Sequence, residues 1–129
     1  MPVSCIFEPG VLIVFMEGHY STAELHVVVE DALTDPRFVP GSALLLDPSE
    51  SLTEPDAAES VERAEWIAAL FHRGLSGRCA FVVGKRAHRH GIAREVATYL
   101  DSLGIEADVF DDSRPALAWL RLGGPAARK

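Results

Sequence analysis

RCAFVVGKRAHRHGIAREVATYLDSL, residues 78–103, decides the fold. Cys79 to Val83 is an unbroken apolar run closed by Gly84. It is too short to span a membrane and has the length of a strand covered on both faces. After the basic segment Lys85-Arg86-Ala87-His88-Arg89-His90-Gly91, the residues Ala93, Val96, Ala97, Leu100 and Leu103 recur at three-four spacing up to Gly104, which suits a left-handed helix cap. The stretch therefore reads as strand, basic loop and amphipathic helix, with the helix opening at Gly91. Open α/β sheets place ligands at such a junction, because the free N–H groups and positive dipole end of the helix face the crevice at the carboxyl ends of the strands.

The flanking segments extend this pattern. Ser4 to Phe7 and Val11 to Glu17, joined by Glu8-Pro9-Gly10, predict an antiparallel hairpin. Ser21-Thr22-Ala23-Glu24 is a capping box, with Tyr20 and Leu25 placed for a hydrophobic staple, and the helix it opens turns Leu25, Val28, Val29, Ala32 and Leu33 inward before Asp35-Pro36. Ser42 to Asp47 predicts a buried strand ending at Asp47-Pro48-Ser49, followed by a loop over Glu50 to Pro55. From Asp56 a long helix presents Ala57, Val61, Ala64, Ile67, Ala68 and Phe71 inward, with Gly74 beyond its end. Glu106 to Phe110 alternates as an edge strand does, and Asp111-Asp112-Ser113 leads into a helix over Pro115 to Leu120 with Leu117 and Leu120 inward. The order β-β-α-β-α-β-α-β-α predicts an α/β protein: a single domain with a mixed, mostly parallel five-stranded sheet and about four helices. Residues 1–122 form that domain, and 123–129 are expected to be a flexible C-terminal tail.

Composition narrows the function classes. The 129 residues, 48% of them hydrophobic, suit one core. No apolar stretch reaches the roughly 18 residues of a membrane-spanning helix, and Pro2 to Ile6 lacks the features of a secretory leader. A cytoplasmic protein without stable membrane insertion is expected. Cys5 and Cys79 lie in apolar runs and read as reduced core residues. The net charge of -7 argues against nucleic-acid binding. Charge is nevertheless unevenly spread: Lys85, Arg86, Arg89 and Arg94 fall within ten residues, whereas Asp47 to Glu65 holds seven acids against the single base Arg63.

With these segments placed, the chain resembles the STAS domains (sulfate transporter and anti-sigma factor antagonist), especially the SpoIIAA-like group related in fold to the lipid-binding Sec14 proteins. The resemblance spans nearly the whole chain. It is carried by the Gly18 end of the second strand, Asp47 closing the third, Gly91-Ile92-Ala93-Arg94 opening the third helix, and Val109-Phe110-Asp111 followed by Ala116 and Ala118-Trp119-Leu120. It implies a non-enzymatic regulatory or protein-interaction module. One departure stands out. The Asp-Ser-Ser-Gly segment that carries the phosphorylatable serine of anti-sigma antagonists is replaced by Leu52-Thr53-Glu54-Pro55-Asp56-Ala57-Ala58-Glu59, so a phosphoryl switch would need Ser49, Ser51 or Thr53 as acceptor.

The residues themselves suggest an alternative, a protein that binds a small anionic ligand or lipid head group at the basic segment 85–94. Its candidate site is Lys85, Arg86, His88, Arg89, His90, Gly91 and Arg94, bounded by His19 and Asp47 from neighbouring strand ends. Gly84-Lys85 lacks the spacing and the following Ser/Thr of a nucleotide loop. His88 and His90, two residues apart in a loop, do not make a metal site with His19 or Asp47, and no cofactor is expected. A nucleophile built from Ser49 or Ser51 with a loop histidine and Asp47 lacks a nucleophile elbow, so no catalytic residues are assigned. Trp66 and Trp119 are expected to pack in the core. The expected partner is thus a protein or a small anion, with the chain itself acting as a monomer or homodimer.

Overall fold

The computed structural model describes residues 2–75, 77–85 and 87–122; the tail 123–129 lies outside them. Five strands, β1 (Val3–Glu8), β2 (Val11–Gly18), β3 (Ala43–Ser51), β4 (Arg78–Val82) and β5 (Glu106–Phe110), form one sheet in the order β1-β2-β3-β4-β5. The β1–β2 hairpin is antiparallel and the other three pairings are parallel. Helices α1 (Thr22–Leu33), α2 (Ala57–Leu70) and α3 (Ala87–Ser102) connect the parallel strands, and α4 (Ser113–Leu122) follows β5. Each crossover steps to the next strand in the same direction, so a single crossover hand sends all three connecting helices to one face.

The two faces follow from strand alternation. Leu12, Val14, Leu44, Leu46, Cys79 and Phe81 share one core with Leu25, Val29, Ile67, Val96 and Leu100 of α1 to α3. Val11, Ile13, Leu45, Ala80 and Val82 point the other way, onto Ala116 and Leu120 of α4. Arg78 helps to seat α4: its guanidinium lies over the Trp119 ring at 4.4 Å and donates to the Trp119 carbonyl at 2.8 Å. Trp119 is half-buried beside Phe110, and Trp66 is half-buried against the ring of His26, 4.2 Å away between α1 and α2.

The capping box expected at Ser21 forms, and a second one opens α2. Ser21 Oγ accepts from the Glu24 N–H at 3.1 Å while Glu24 accepts from the Ser21 N–H; Asp56 and Glu59 do the same at the start of α2. Val61, expected inward, is exposed, and the position nearly opposite on the helix, Arg63, turns inward instead. Leu103 is also exposed, because α3 ends at Ser102 and releases it from the periodic face.

Two boundaries that bear on the site differ from the sequence expectation. β3 does not stop at Asp47. It bulges, since Phe15 pairs with Asp47 and Glu17 with Glu50, giving β3 one extra residue there; Pro48, which has no N–H to donate, is accommodated in this step. Helix α3 begins at Ala87 rather than Gly91, so most of the basic segment is the first helical turn and not a loop.

Candidate functional site

The early start of α3 determines where its basic side chains go. Successive helical side chains diverge by about 100°, so His88, Arg89 and His90 face three directions. His88 is exposed, with Nε2 3.4 Å from Glu54 Oε1. His90 turns toward the end of β5, where Nε2 lies 2.8 Å from the Gly84 carbonyl oxygen and 2.7 Å from Asp111 Oδ1. Arg89 goes inward and is only 5% exposed. Its Nη1 donates to the Pro48 carbonyl at 2.7 Å and its Nη2 to the Ser51 carbonyl, which ties α3 to the bulged end of β3. Arg89 Nε is 3.3 Å from Glu54 Oε2, close enough for an ion pair but not aligned as a hydrogen bond.

A cation at a helix N-terminus, as Arg89 is, opposes the helix dipole. Here the opposition is relieved by carboxylates brought from other elements, Glu54 from the β3–α2 loop and Asp111 from the β5–α4 turn. The anion nearest the basic segment is therefore one of the protein's own side chains.

Below Glu54 lies a cavity of about 70 Å³. Met16, Leu46, Phe81 and Val83 of the sheet side form its floor, Ile92, Ala93 and Val96 of α3 one wall, and Pro48, Thr53, Glu54 and Pro55 its roof. Tyr20, Arg63 and Arg89 complete the lining. Arg63 donates to Tyr20 Oη at 3.3 Å, and its Nε is buried without a hydrogen-bond partner. The roof is fastened within itself and to the end of β2: Ser51 Oγ donates to the Thr53 carbonyl and accepts from the Thr53 N–H, and Thr53 Oγ1 accepts from the N–H of Tyr20, 33 residues away.

The remaining residues of the expected site do not converge on this cavity. Arg94 is exposed and lies 3.6 Å from Asp108 at the β5 edge. Lys85 and His19 are exposed and do not line the cavity. Gly91 sits inside the first turns of α3, so its N–H is not one of the free helix-end donors. Asp47 is one residue on from Leu46 and therefore on the α4 side of the sheet; its Oδ1 accepts from Ser49 Oγ at 2.5 Å and from the Ser49 N–H at 3.1 Å. Arg86 lies outside the described residues. The three hydroxyls available to a phosphoryl switch are all engaged in these bonds, and Ser51 is fully buried. Among the described residues, no cluster of three or more His, Cys, Asp or Glu is placed to hold a metal ion, and no helix is long and apolar enough to cross a membrane.

A solved structure of an uncharacterised protein of the DUF3478 family from Shewanella loihica PV-4, which has a SpoIIAA-like fold, matches the chain with a TM-score of 0.59 over 92% of this chain and 91% of that one. The fold is SpoIIAA-like. No protein-family model and no curated protein matches the chain in sequence, and at 18% identity the structural likeness speaks to fold alone.

Within this SpoIIAA-like fold, the apolar lining and the polar residues Tyr20, Glu54 and Arg63 were not anticipated from the sequence as parts of a site. Arg63 carried a signal, being the single base in an acidic stretch. Glu54 carried none, because a glutamate before a proline in a polar loop is ordinary until the loop is placed over α3.

Proposed function

We propose that the protein is a non-enzymatic STAS-like module of the cytoplasm that holds a small, mainly apolar ligand in the cavity beneath the β3–α2 loop and presents that loop to a partner protein. The observation that carries the reading is the construction of the cavity. Apolar floor and wall meet two arginines, under a roof tied to α3 through one buried side chain, Arg89. It lies at the carboxyl ends of β2 to β4, where α/β sheets tend to hold ligands. The histidines and hydroxyls near the strand ends are engaged in separate local contacts rather than aligned with one another, which favours binding over catalysis.

Calorimetry and thermal unfolding with octanol, a neutral apolar probe, test this reading. Saturable heat is expected, together with a stabilisation that approaches about 2.7 kcal/mol when the probe is present at about 100 times its dissociation constant. Absence of both would leave the module with protein contacts alone.

A further inference from the structure

Resting on that reading, we propose that the ligand is a carboxylate on a short aliphatic chain, and that Glu54 is a built-in competitor for its head group. Two guanidinium groups, those of Arg63 and Arg89, line the cavity, and among the described residues Glu54 is the one carboxylate in the lining. Each arginine also keeps a buried Nε–H without an aligned acceptor. A buried charge with incomplete hydrogen bonding is costly, and the cost is relieved by an anion that supplies acceptors. Glu54 shows which anion the position accepts. One of its oxygens lies against His88 and the other against Arg89, at 3.4 and 3.3 Å, long and poorly aligned for charge-assisted bonds.

Glu54 belongs to the loop that roofs the cavity and its side chain is 39% exposed, so it has room to swing outward. A free carboxylate entering with its chain against Phe81, Val83 and Ile92 would take the place of Glu54 beside Arg89 and meet Arg63 from inside. The displaced Glu54 keeps His88 as a neighbour toward solvent. Ligand entry and movement of the 52–56 loop are then the same event, which is how occupancy reaches the surface.

The test is calorimetry on the full chain with octanoate, octanol and octyl phosphate, repeated for Glu54→Gln and Arg63→Met. Octanoate is expected to bind at least tenfold more tightly than octanol. Glu54→Gln should tighten octanoate by about tenfold, equivalent to about 1.4 kcal/mol, with octanol unchanged, and Arg63→Met should narrow the preference for octanoate over octanol. Equal affinity for octanoate and octanol, tighter binding of octyl phosphate than of octanoate, or a Glu54→Gln protein with unaltered octanoate affinity would each overturn the carboxylate assignment while leaving the apolar cavity standing. No heat with any of the three probes would instead overturn the cavity reading beneath it.

Discussion

Arg89 and Ser51, 38 residues apart, are joined by a buried hydrogen bond from the guanidinium of the first to the carbonyl of the second. With the companion bond to the Pro48 carbonyl, it fastens the start of α3 to the end of β3. Both are charge-assisted, the one to Ser51 buried and the one to Pro48 partly so, and losing them leaves two carbonyls without this donor. Arg89→Ala is expected to lower the unfolding free energy by about 2 to 3 kcal/mol. Arg89→Lys should recover less than half, because an ammonium does not present the planar fork that reaches both carbonyls. Urea denaturation of the three proteins provides the comparison; equal stability of wild type and Arg89→Ala would contradict a fastening role.

The cap of α2 has a second consequence that the cap of α1 lacks. Asp56→Ala and Ser21→Ala should each cost about 1 kcal/mol through the lost capping bond. Asp56, however, adjoins Thr53, Glu54 and Pro55 in the cavity roof. Hydrogen exchange should therefore quicken over residues 52–56 in Asp56→Ala and stay at the wild-type rate there in Ser21→Ala.

His26 stacked on Trp66 predicts a pH-dependent optical signal. Burial of the imidazole, followed by the nearby Arg63 charge, lowers the His26 pKa from 6.5, with Glu30 opposing. The folded state thus binds the proton less readily than the unfolded chain. The contribution to stability is full above pH 6.5 and falls as pH drops below that unfolded value, until the folded group also titrates. In a Trp119→Phe background, Trp66 emission should be quenched on acidification with a midpoint below 6.5, and His26→Phe should abolish the transition. A midpoint at or above 6.5 would contradict the burial argument.

The thiols give a check on the core. Burial pushes the Cys5 thiol up to about 11 and raises that of fully buried Cys79 further. At neutral pH neither supplies appreciable thiolate. A disulfide reagent should react with both cysteines in urea and with Cys79 at no measurable rate in the native protein, Cys5 reacting more slowly than a free thiol. Rapid native labelling of Cys79 would mean that β4 is not central.

Much of the fold was legible because its signals are local. Apolar run length marks Cys79 to Val83 as a doubly covered strand, and Ile13, Leu45, Phe81 and Val82 are buried as the strand reading requires. Ser21 and Glu24, three residues apart, announce a helix start and bond as expected, and the acids Asp56 and Glu59 mark the start of the next helix, where the structure shows them bonded in the same way. Where the local signal is missing, the boundary is not legible: Gly84 and Lys85 offer no capping side chain ahead of Ala87, and the helix pattern reads from Gly91, four residues after α3 in fact begins. Pro48 argued for the end of β3 because a proline interrupts a ladder, and only pairing with β2 reveals the bulge that absorbs it.

The sequence alone thus determined the layers, the mixed sheet and a concentration of positive charge at one strand end, all of which depend on period, run length and residues a few positions apart. Tertiary structure decided what that charge meets. Strand alternation put Asp47 on the far face, helical rotation sent His88, Arg89 and His90 apart, and the closing of the β3–α2 loop over α3 brought Glu54 to Arg89. The partner of a charge is set by which distant segments share space, and that follows from packing of the whole chain rather than from spacing along it.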